Sequence, residues 1–441
     1  MPAELRQRAF SRFRRGGLVA DSMWGLVQEG SGLLSATLSF ALLGRALGVE
    51  RYGGFQSVFA TIGPFVTLAS AGVMLALIDH AVRRQEPLGE VARSCLSLTL
   101  ILGGILSVLG ITASLLIVDT RAVSPLAVAF ITVGEFIVTP ITLLAASTMQ
   151  AGYSFASSVK IRLASSIARV VLIVALFSVH GLRLTTFVAL NFFLQLAIGL
   201  FALRYVGRQA RFRFTPGPFD VKILKTNIVY SVSISAYGVQ NDGDKMVMAI
   251  NNLTRELGLY AAGYRVVMMG LLPMSAFIDA THTRILEQVE DSRRYHFRLA
   301  RRYTMILGAY SLVVTAVLLG AAPLISIFLG DAFDGSVNMT RWLAPLILFR
   351  SLAAAPMNGV LGLGHNNART TFIVASAAVS FVMYLLMVPA FGWKGAAVAT
   401  VIGEAANVVG AWTMLYVYQR RHDAELDAEE LAAAVGSTGA L

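Results

Sequence analysis

Residues 240–265 read QNDGDKMVMAINNLTRELGLYAAGYR and place Asp, Lys and Arg side chains inside a long apolar region. A charged side chain near the middle of a bilayer costs roughly 2.5–3.5 kcal/mol on insertion scales, so it usually faces a bundle interior or a water-filled cavity. This stretch therefore predicts a polar site on a transport route. The alternative is a structural ion pair that locks two helices together.

The composition of the whole chain supports a membrane location for this stretch. The 441 residues are 56% hydrophobic and only 14% charged, which is far more apolar than a typical soluble domain. Apolar segments of about twenty to thirty residues predict spanning helices, and the alternating strands of an outer-membrane barrel are absent from the sequence. We therefore predict an all-α integral membrane protein.

Hydropathy and helix-breaking residues predict about twelve spans. They cover residues 18–48, 52–79, 91–118, 122–149, 158–180, 184–206, 223–250, 256–280, 299–328, 338–363, 367–390 and 394–419. A basic segment with two prolines divides them six and six. The predicted regions are a basic tail (1–17), an N-terminal lobe (18–206), a cytoplasmic linker (207–222), a C-terminal lobe (223–419) and a C-terminal tail (420–441).

The two halves carry a trace of repetition. Residues 47–55 read LGVERYGGF after the first span, and residues 255–260 read RELGLY after the seventh. Each places charges, a glycine and an aromatic residue where the next span begins. Two halves of six spans that enter from the same side form a parallel repeat, in which the substrate site normally lies between the halves near the middle of the membrane.

The distribution of basic residues predicts the orientation. Of the 36 Lys and Arg, 25 fall on the side of the N-terminus, 6 on the opposite side and the rest within spans. This positive-inside pattern predicts that both termini are cytoplasmic.

The same pattern explains the net charge of +11 without nucleic-acid binding, which would need a basic face on a folded domain. The apolar segment from about Leu18 to Leu47 is too long for a signal peptide.

Several kinds of chemistry are not indicated by the sequence. It has no phosphate-binding loop of the Walker type, no nucleophile elbow, and six His residues without metal-ligand spacing. The single Cys95 excludes an internal disulfide framework. We therefore predict a protein that is not an enzyme and has no metal or cofactor.

The most prominent candidate site is in the seventh and eighth spans. Asn241, Asp244 and Lys245 share a helix face, and Asp242 reaches Lys245 at the i, i+3 spacing. Asp242 and Arg265 are equally distant from the turn between the two helices, so we predict that they pair, with Lys245 on the outer side. The predicted lining of a substrate cavity or ion-coupling site is Glu29, Asn241, Asp242, Asp244, Lys245, Tyr264 and Arg265.

Other charges also fall within predicted spans: Arg45, Glu135, Arg169, Arg350 and Glu404. Arg45 is close enough to a span end for its side chain to extend to the interface, so anchoring is as reasonable as function. Arg350 and Glu404 belong to the second half, and the simplest interpretation is that they pair with each other. Glu29 lies deeper, and either a cavity role or a structural role fits it.

Four stretches together resemble the polysaccharide transporters of the multidrug/oligosaccharidyl-lipid/polysaccharide (MOP) exporter superfamily. They are RALGVERYG at 45–53, NDGDK at 241–245 followed by LGLYAAGYR at 257–265, GVLGLG at 359–364 and GWKGAAVAT at 392–400. The resemblance extends over about residues 18–419, and the stretch at 241–265 is its most specific part.

The resemblance implies a fold and a function. The implied fold is two six-helix lobes in a V shape that open alternately to the two sides, as in the MATE exporters. The implied substrate is an undecaprenyl-diphosphate-linked oligosaccharide, moved across the bacterial inner membrane for exopolysaccharide, O-antigen or capsule synthesis. Lys245 and Arg265 match the family's basic cavity positions. Membrane lipids are implied partners, and a polysaccharide polymerase with its chain-length machinery could be others.

The acidic residues beside these cations leave alternatives open. Asp242 and Asp244 bring the local net charge close to zero, so gating or coupling to an H⁺ or Na⁺ gradient is as reasonable as direct diphosphate binding. A cation-coupled multidrug exporter of the same superfamily is the nearest alternative function. A membrane glycan polymerase or ligase would normally carry a large periplasmic loop, and a scaffold without transport would leave the buried charges without a role.

Overall fold

The computed structural model describes residues 18–152, 154–179, 183–286 and 295–438. Every secondary-structure element in these ranges is helical. The predicted basic tail, residues 1–17, lies outside the described residues. The all-helical prediction is therefore confirmed for the described chain.

Fifteen α-helices are described. They are α1 Leu18–Ala69, α2 Ala71–Ile78, α3 Leu88–Ile117, α4 Pro125–Val133, α5 Thr139–Gly152, α6 Phe155–Ser178, α7 Leu184–Ala210, α8 Val221–Ile250, α9 Thr254–Gly270, α10 Leu272–Leu286, α11 Tyr295–Ala321, α12 Leu324–Leu329, α13 Gly335–Leu343, α14 Pro345–Gly362 and α15 Asn366–Thr438. Two π-helical turns, Asp79–Arg83 and Gly134–Val138, and one 3₁₀ turn, Asp331–Phe333, complete the described elements.

Nine helical segments in the described ranges are long and apolar enough to cross a membrane. Two of them, Met23–Arg83 and Asn366–Ala428, are more than sixty residues long, about twice the length that a bilayer requires. Each contains two predicted spans. The nine segments therefore account for eleven of the twelve predicted spans.

Glycines break the two long segments where the sequence predicts a change of span. Gly48 in α1 has φ 71° and ψ 172°, and Gly392 in α15 has φ 59° and ψ −139°. These backbone angles are rarely adopted by residues with a side chain and are readily adopted by glycine. The chain therefore changes direction at both positions without a loop.

The remaining predicted span is α8, which has 30 residues and does not belong to the nine apolar segments. It carries polar side chains along its length, and many of them are buried, including Asn227, Ser231, Gln240, Asp244 and Lys245. A helix with buried polar groups needs polar partners on its neighbours. The packing of α8 is therefore central to the candidate site.

Packing divides the chain into two compact units. Unit 1 comprises residues 1–258 and 328–332, and unit 2 comprises residues 259–327 and 333–441. Their boundary lies inside α9, not in the predicted linker. These units are defined by contacts between helices, whereas a lobe is a body that moves as one. The predicted lobe boundary at 207–222 therefore stays a prediction.

In unit 1, helix α8 packs against α1 and α2, and the linker is hydrogen-bonded to α3. The amide of Gly217 donates to the carbonyl of Arg93 at 3.0 Å, and Ser97 Oγ donates to the carbonyl of Gly217 at 2.7 Å. Phe212 and Phe214 lie against the apolar cluster around Cys95. The linker is thus bound to the helices along part of its length.

In unit 2, helix α14 packs between α11 and α15. Its apolar core includes Tyr303, Val360 and Leu415. A Cβ added to Gly359 would lie 2.9 Å from Leu415, so this glycine allows close helix packing. The GVLGLG run therefore serves helix packing and a helix end.

Candidate functional site

The two repeated motifs of the sequence meet in unit 1. A Cβ on Gly53 would collide with the carbonyl oxygen of Thr254, and a Cβ on Gly258 would collide with the carbonyl oxygen of Val49. The start of α9 and the part of α1 after Gly48 are therefore in backbone contact. Glycine is required on both sides because a carbonyl oxygen cannot move aside as a flexible side chain can.

Helices α8 and α1 are also joined by hydrogen bonds of polar side chains, which we call the polar seam. Thr67 Oγ1 and Ser235 Oγ lie 2.6 Å apart, and Asn227 Nδ2 donates to the carbonyl of Leu68 at 2.9 Å. Asn227 and Ser231 are fully buried, and Ser231 Oγ also donates to Asn227 Oδ1 at 3.0 Å. These bonds satisfy the polar groups of α8 that would be costly in an apolar interior.

Three charged side chains of α8 form a compact cluster. Lys245 Nζ lies 3.1 Å from Asp242 Oδ1 and 3.3 Å from Asp244 Oδ1, and it also donates to the carbonyl of Asn241. The side chain of Asp244 is fully buried and that of Lys245 is 5% exposed, whereas that of Asp242 is 40% exposed. The predicted contact between Asp242 and Lys245 is confirmed.

Asp242 is the solvent-accessible carboxylate of this cluster. Its Oδ2 lies 3.7 Å from the place where a Cβ of Gly63 would be, so the absence of a side chain at that position of α1 leaves room beside the carboxylate. Asp244, in contrast, accepts the amide of Lys245 at 2.7 Å as well as its ammonium. Asp244 therefore has a structural role, and Asp242 is the carboxylate that a ligand or a cation can reach.

Arg265 belongs to unit 2, and its side chain is exposed. The predicted pair of Asp242 and Arg265 joins residues of two different units and stays a prediction. Within unit 1 the partner of Asp242 is Lys245.

A second polar cluster lies in unit 2 and is centred on Arg350 of α14. Its Nε donates to Glu404 Oε1 of α15 at 2.8 Å, and its Nη2 donates to the hydroxyl of Tyr264 on α9 at 3.3 Å. The side chains of Arg350 and Glu404 are 14% and 11% exposed. The predicted pairing of Arg350 with Glu404 is confirmed, and Tyr264 joins it.

This second cluster continues through amide and hydroxyl groups of α15. Asn407 Nδ2 donates to Glu404 Oε2 at 3.2 Å, and Ser376 Oγ bonds to Asn407 Oδ1. Both carboxylate oxygens of Glu404 are therefore engaged, one by a guanidinium and one by an amide. Such a network fixes the geometry of a buried charge.

Glu135 and Arg169 lie in unit 1. Glu135 belongs to the π-helical turn Gly134–Val138, a distortion that is frequent at functional sites. Arg169 lies on α6, and no ion pair within 4 Å joins it to Glu135 in the described ranges. The Nε of Arg169 is buried without a hydrogen-bond partner.

The other two predicted residues, Arg45 and Glu29, lie on α1. Arg45 is exposed on α1, three residues before the break at Gly48, which fits an anchoring role near the end of a span. Glu29 lies in α1, but its side chain is outside the described part of the chain.

A charged cluster around the buried side chains of Asp79 and His80, directly after α2, was not predicted. Asp79 lies 2.9 Å from Arg84 and 3.3 Å from Arg83, and the hydroxyl of Tyr230 on α8 donates to it at 3.4 Å. His80 is fully buried and contacts Glu86 at 3.0 Å. The sequence suggests only that Asp79 ends a span, and its spacing of four from Arg83 is the signal that could have identified the pair.

The clusters of Lys245 and Arg350 share one feature, a cation that is largely buried and neutralised by acidic partners. Lys245 and Arg350 are cations, each paired with a carboxylate within its own unit. Groups of three or more His, Cys, Asp or Glu that could hold a metal ion are not found in the described ranges.

Comparison with known proteins identifies the family and the fold of the chain. A family model described as "Polysaccharide biosynthesis protein" matches residues 18–281, which is more than half of the chain. A search of curated protein sequences gives no significant match.

The fold is that of the MOP superfamily transporters. An inward-facing multidrug MATE transporter superposes with a TM-score of 0.75 at 15% identity, over 88% of this chain and 95% of that chain. An outward-facing structure of a multidrug MATE transporter gives 0.64 at 15% identity, over 92% and 97%. A transporter from Pyrococcus furiosus, described as having a binding pocket of reversed polarity, gives 0.62 at 16% identity, over 90% and 94%.

These findings confirm the predicted MATE-like membrane fold and the resemblance to the MOP superfamily. The structural neighbours are transporters, in agreement with the prediction that the chain is not an enzyme. With nine long apolar segments in its described ranges and this fold, the protein is a multi-pass membrane protein.

Proposed function

The chain belongs to the polysaccharide biosynthesis protein family, and from this we propose that it is a flippase for undecaprenyl-diphosphate-linked oligosaccharides. In this proposal it moves the substrate from the cytoplasmic to the periplasmic leaflet of a bacterial inner membrane, with both termini in the cytoplasm. The product serves exopolysaccharide, O-antigen or capsule synthesis, where a polymerase and chain-length proteins would take it over.

The observation that carries the proposal is the buried Lys245, held between Asp242 and Asp244. A diphosphate with attached sugars cannot cross hydrocarbon unaided, because leaving water without compensating partners is costly. A cation with hydrogen-bond donors can replace part of its hydration. The polyprenyl tail can remain in lipid throughout.

The partners of Lys245 suggest how binding is coupled to movement. While Asp242 is ionised, it occupies the ammonium group that the diphosphate would use. Neutralisation of Asp242 by H⁺, or its engagement by Na⁺, would remove one of the two carboxylates on Lys245 and make a position on its ammonium group available to the substrate, while Asp244 still holds it. The same exchange can operate in unit 2, where Glu404 occupies Arg350. A ligand that changes these pairings shifts the equilibrium between conformations by its difference in affinity for them.

Deletion of the gene tests the proposal. We expect lipid-linked repeat units to accumulate on the cytoplasmic leaflet and to be cleared by the wild-type protein, but not by Lys245→Ala or Arg265→Ala. The matched control is Lys222→Ala, because Lys222 is an exposed lysine at the start of the same helix. A normal distribution of repeat units between the leaflets after deletion would refute the flippase.

Coupling is tested separately in vesicles that contain the purified protein. We expect transport to slow when the H⁺ or the Na⁺ gradient is collapsed, and the gradient whose loss matters identifies the ion. Transport that is indifferent to both gradients would remove the coupling role of Asp242 and leave the flippase itself in place.

The second candidate function is cation-coupled multidrug export. It is favoured by the fold alone, which is shared with multidrug MATE transporters. It predicts that deletion raises the sensitivity of the cells to cationic drugs and leaves lipid-linked oligosaccharides unchanged. The same deletion strain therefore distinguishes the two functions.

A further inference from the structure

A basic pocket lies at the C-terminal end of α7 in unit 1, away from the clusters described above. It has a volume of about 960 Å³ and is lined in part by Leu200, Phe201, Arg204, Arg208, Arg211 and Arg213. All four arginines are exposed. Because they approach one cavity, their charges reinforce one another there.

The pocket is amphipathic along the axis of α7. Leu200, Arg204 and Arg208 follow one another at helical spacing, so they lie along one face of the helix end. Arg211 follows the last helical residue, Ala210, and has a left-handed backbone conformation (φ 57°). The apolar residues are nearer the middle of the span, and the helical arginines extend about 12 Å beyond Leu200, to Arg208, at 1.5 Å per residue. One end of the pocket thus suits hydrocarbon, and the other suits an anion.

The wall opposite α7 is formed by the linker, which is held in place. The amide of Phe212 donates to the carbonyl of Gly207 at 3.1 Å, and the rings of Phe212 and Phe214 have centroids 4.7 Å apart. Arg93 Nε donates to the carbonyl of Thr215 at 3.3 Å. The arginines of the linker are therefore attached to a backbone with fixed contacts.

The guanidinium groups of these four arginines have no carboxylate partner in the described ranges of the chain. They also lie at a helix C-terminus, where the partial charge of the helix is negative and only weakly favours cations. Four cations around one cavity repel one another unless an anion lies between them. Arginine binds phosphate oxygens with two parallel hydrogen bonds, a geometry that lysine lacks.

We propose that this pocket binds the phosphate group of a membrane lipid, with the lipid chain along Leu200 and Phe201. Two lipids offer this chemistry: an anionic phospholipid, and a polyprenyl diphosphate on its way to transport. Only the second source rests on the proposed function. The simpler alternative is that the arginines act only through their charge, as signals for membrane orientation.

The test measures lipids that stay bound to the delipidated, full-length protein in detergent, counted by native mass spectrometry. The probes are phosphatidylglycerol, geranylgeranyl diphosphate, phosphatidylcholine and inorganic diphosphate. The test variant is Arg208→Gln with Arg211→Gln. The control is Lys222→Gln with Lys225→Gln, which removes the same charge from exposed lysines that do not line the pocket.

We expect the arginine variant to bind the preferred anionic lipid at least about tenfold more weakly than the wild type, a difference of about 1.4 kcal/mol, and the lysine variant to bind it normally. Replacement of both arginines by lysine keeps the orientation signal and should still weaken binding. Preference for phosphatidylglycerol identifies the phospholipid as the source, and preference for geranylgeranyl diphosphate identifies the polyprenyl lipid.

Equal binding of both anionic lipids by the wild type and the arginine variant would overturn the proposal. So would binding that falls equally in the arginine and lysine variants, because net charge alone would then explain it. Wild-type protein that binds inorganic diphosphate as tightly as either lipid would refute the role of the apolar end. A failed flippase assay would leave the phospholipid result unaffected.

Discussion

Arg350 Nε lies 2.8 Å from Glu404 Oε1, and this bond joins the middle of α14 to α15 between two side chains that are almost entirely buried. Removal of one partner from such a pair typically costs about 3–5 kcal/mol, because the other charge is left without compensation. The pair therefore fixes two helices of unit 2, whatever further role it has in transport.

We predict that Arg350→Met destabilises the protein by about 3–5 kcal/mol, and that Arg350→Met with Glu404→Met recovers most of the loss. The measurement is unfolding in detergent, followed by the amount of protein that remains monodisperse after heating. Arg302→Met, at an exposed position of α11, is the control and should have little effect. Equal stability of Arg350→Met and the wild type would show that the ion pair is not maintained in detergent.

A second prediction concerns the ammonium group of Lys245. Lys245→Met leaves the fully buried Asp244 without its cation and should destabilise the protein by about 3–5 kcal/mol. Adding Asp244→Asn should recover part of that loss, whereas adding Asp242→Asn should recover less, because Asp242 is 40% exposed and keeps its hydration. If both second substitutions rescue stability to the same extent, the difference in burial between the two carboxylates does not determine the loss of stability.

A third prediction concerns the glycine contact between the repeated motifs. Gly53→Ala places a methyl group into the carbonyl of Thr254, and we expect a strong reduction in the yield of folded protein. Gly104→Ala is the matched control, since no atom lies within 4 Å of its added Cβ. It should be neutral or stabilising by up to about 1 kcal/mol, because alanine has the higher helix propensity. Normal yield of Gly53→Ala would show that α1 and α9 can separate at this point.

A fourth prediction addresses the two charges that lie in different units. If Asp242 and Arg265 pair during transport, Asp242→Arg and Arg265→Asp should each abolish clearance of lipid-linked repeat units, and the double reversal should restore it. Lys245 complicates the first variant, because the new arginine would repel it. The rescue is therefore measured against Arg265→Asp alone, and its failure would leave Lys245 as the functional partner of Asp242.

Some features of the site follow from spacing within one helix. Asp242 and Lys245 are three residues apart on α8, so their contact is a property of helix geometry and could be predicted. The pairing of Arg350 with Glu404 was predicted only because both are buried charges of opposite sign in the same half. Asn407 and Ser376 could not be predicted, because their role depends on how α15 bends at Gly392.

The polar seam of α8 could not be predicted from the sequence. Asn227 and Ser231 are uncharged, and nothing in their spacing indicates that they bond to the carbonyls of α1 around Leu68. The cluster around Asp79 was missed for a related reason. Its partner Tyr230 is distant in sequence, and the π-helical turn that positions Asp79 depends on the packing around it.

The sequence by itself determined the membrane class, the positions of the predicted spans and the stretch 240–265 as a polar site, because apolar length, charge placement and helical periodicity are local properties. Tertiary structure alone decided which polar groups are buried together. It placed the motif around Gly53 against Gly258 and assigned Lys245 two carboxylates of different exposure. Those outcomes depend on contacts between helices that are far apart in the chain, and such contacts are set by packing, which no local pattern records.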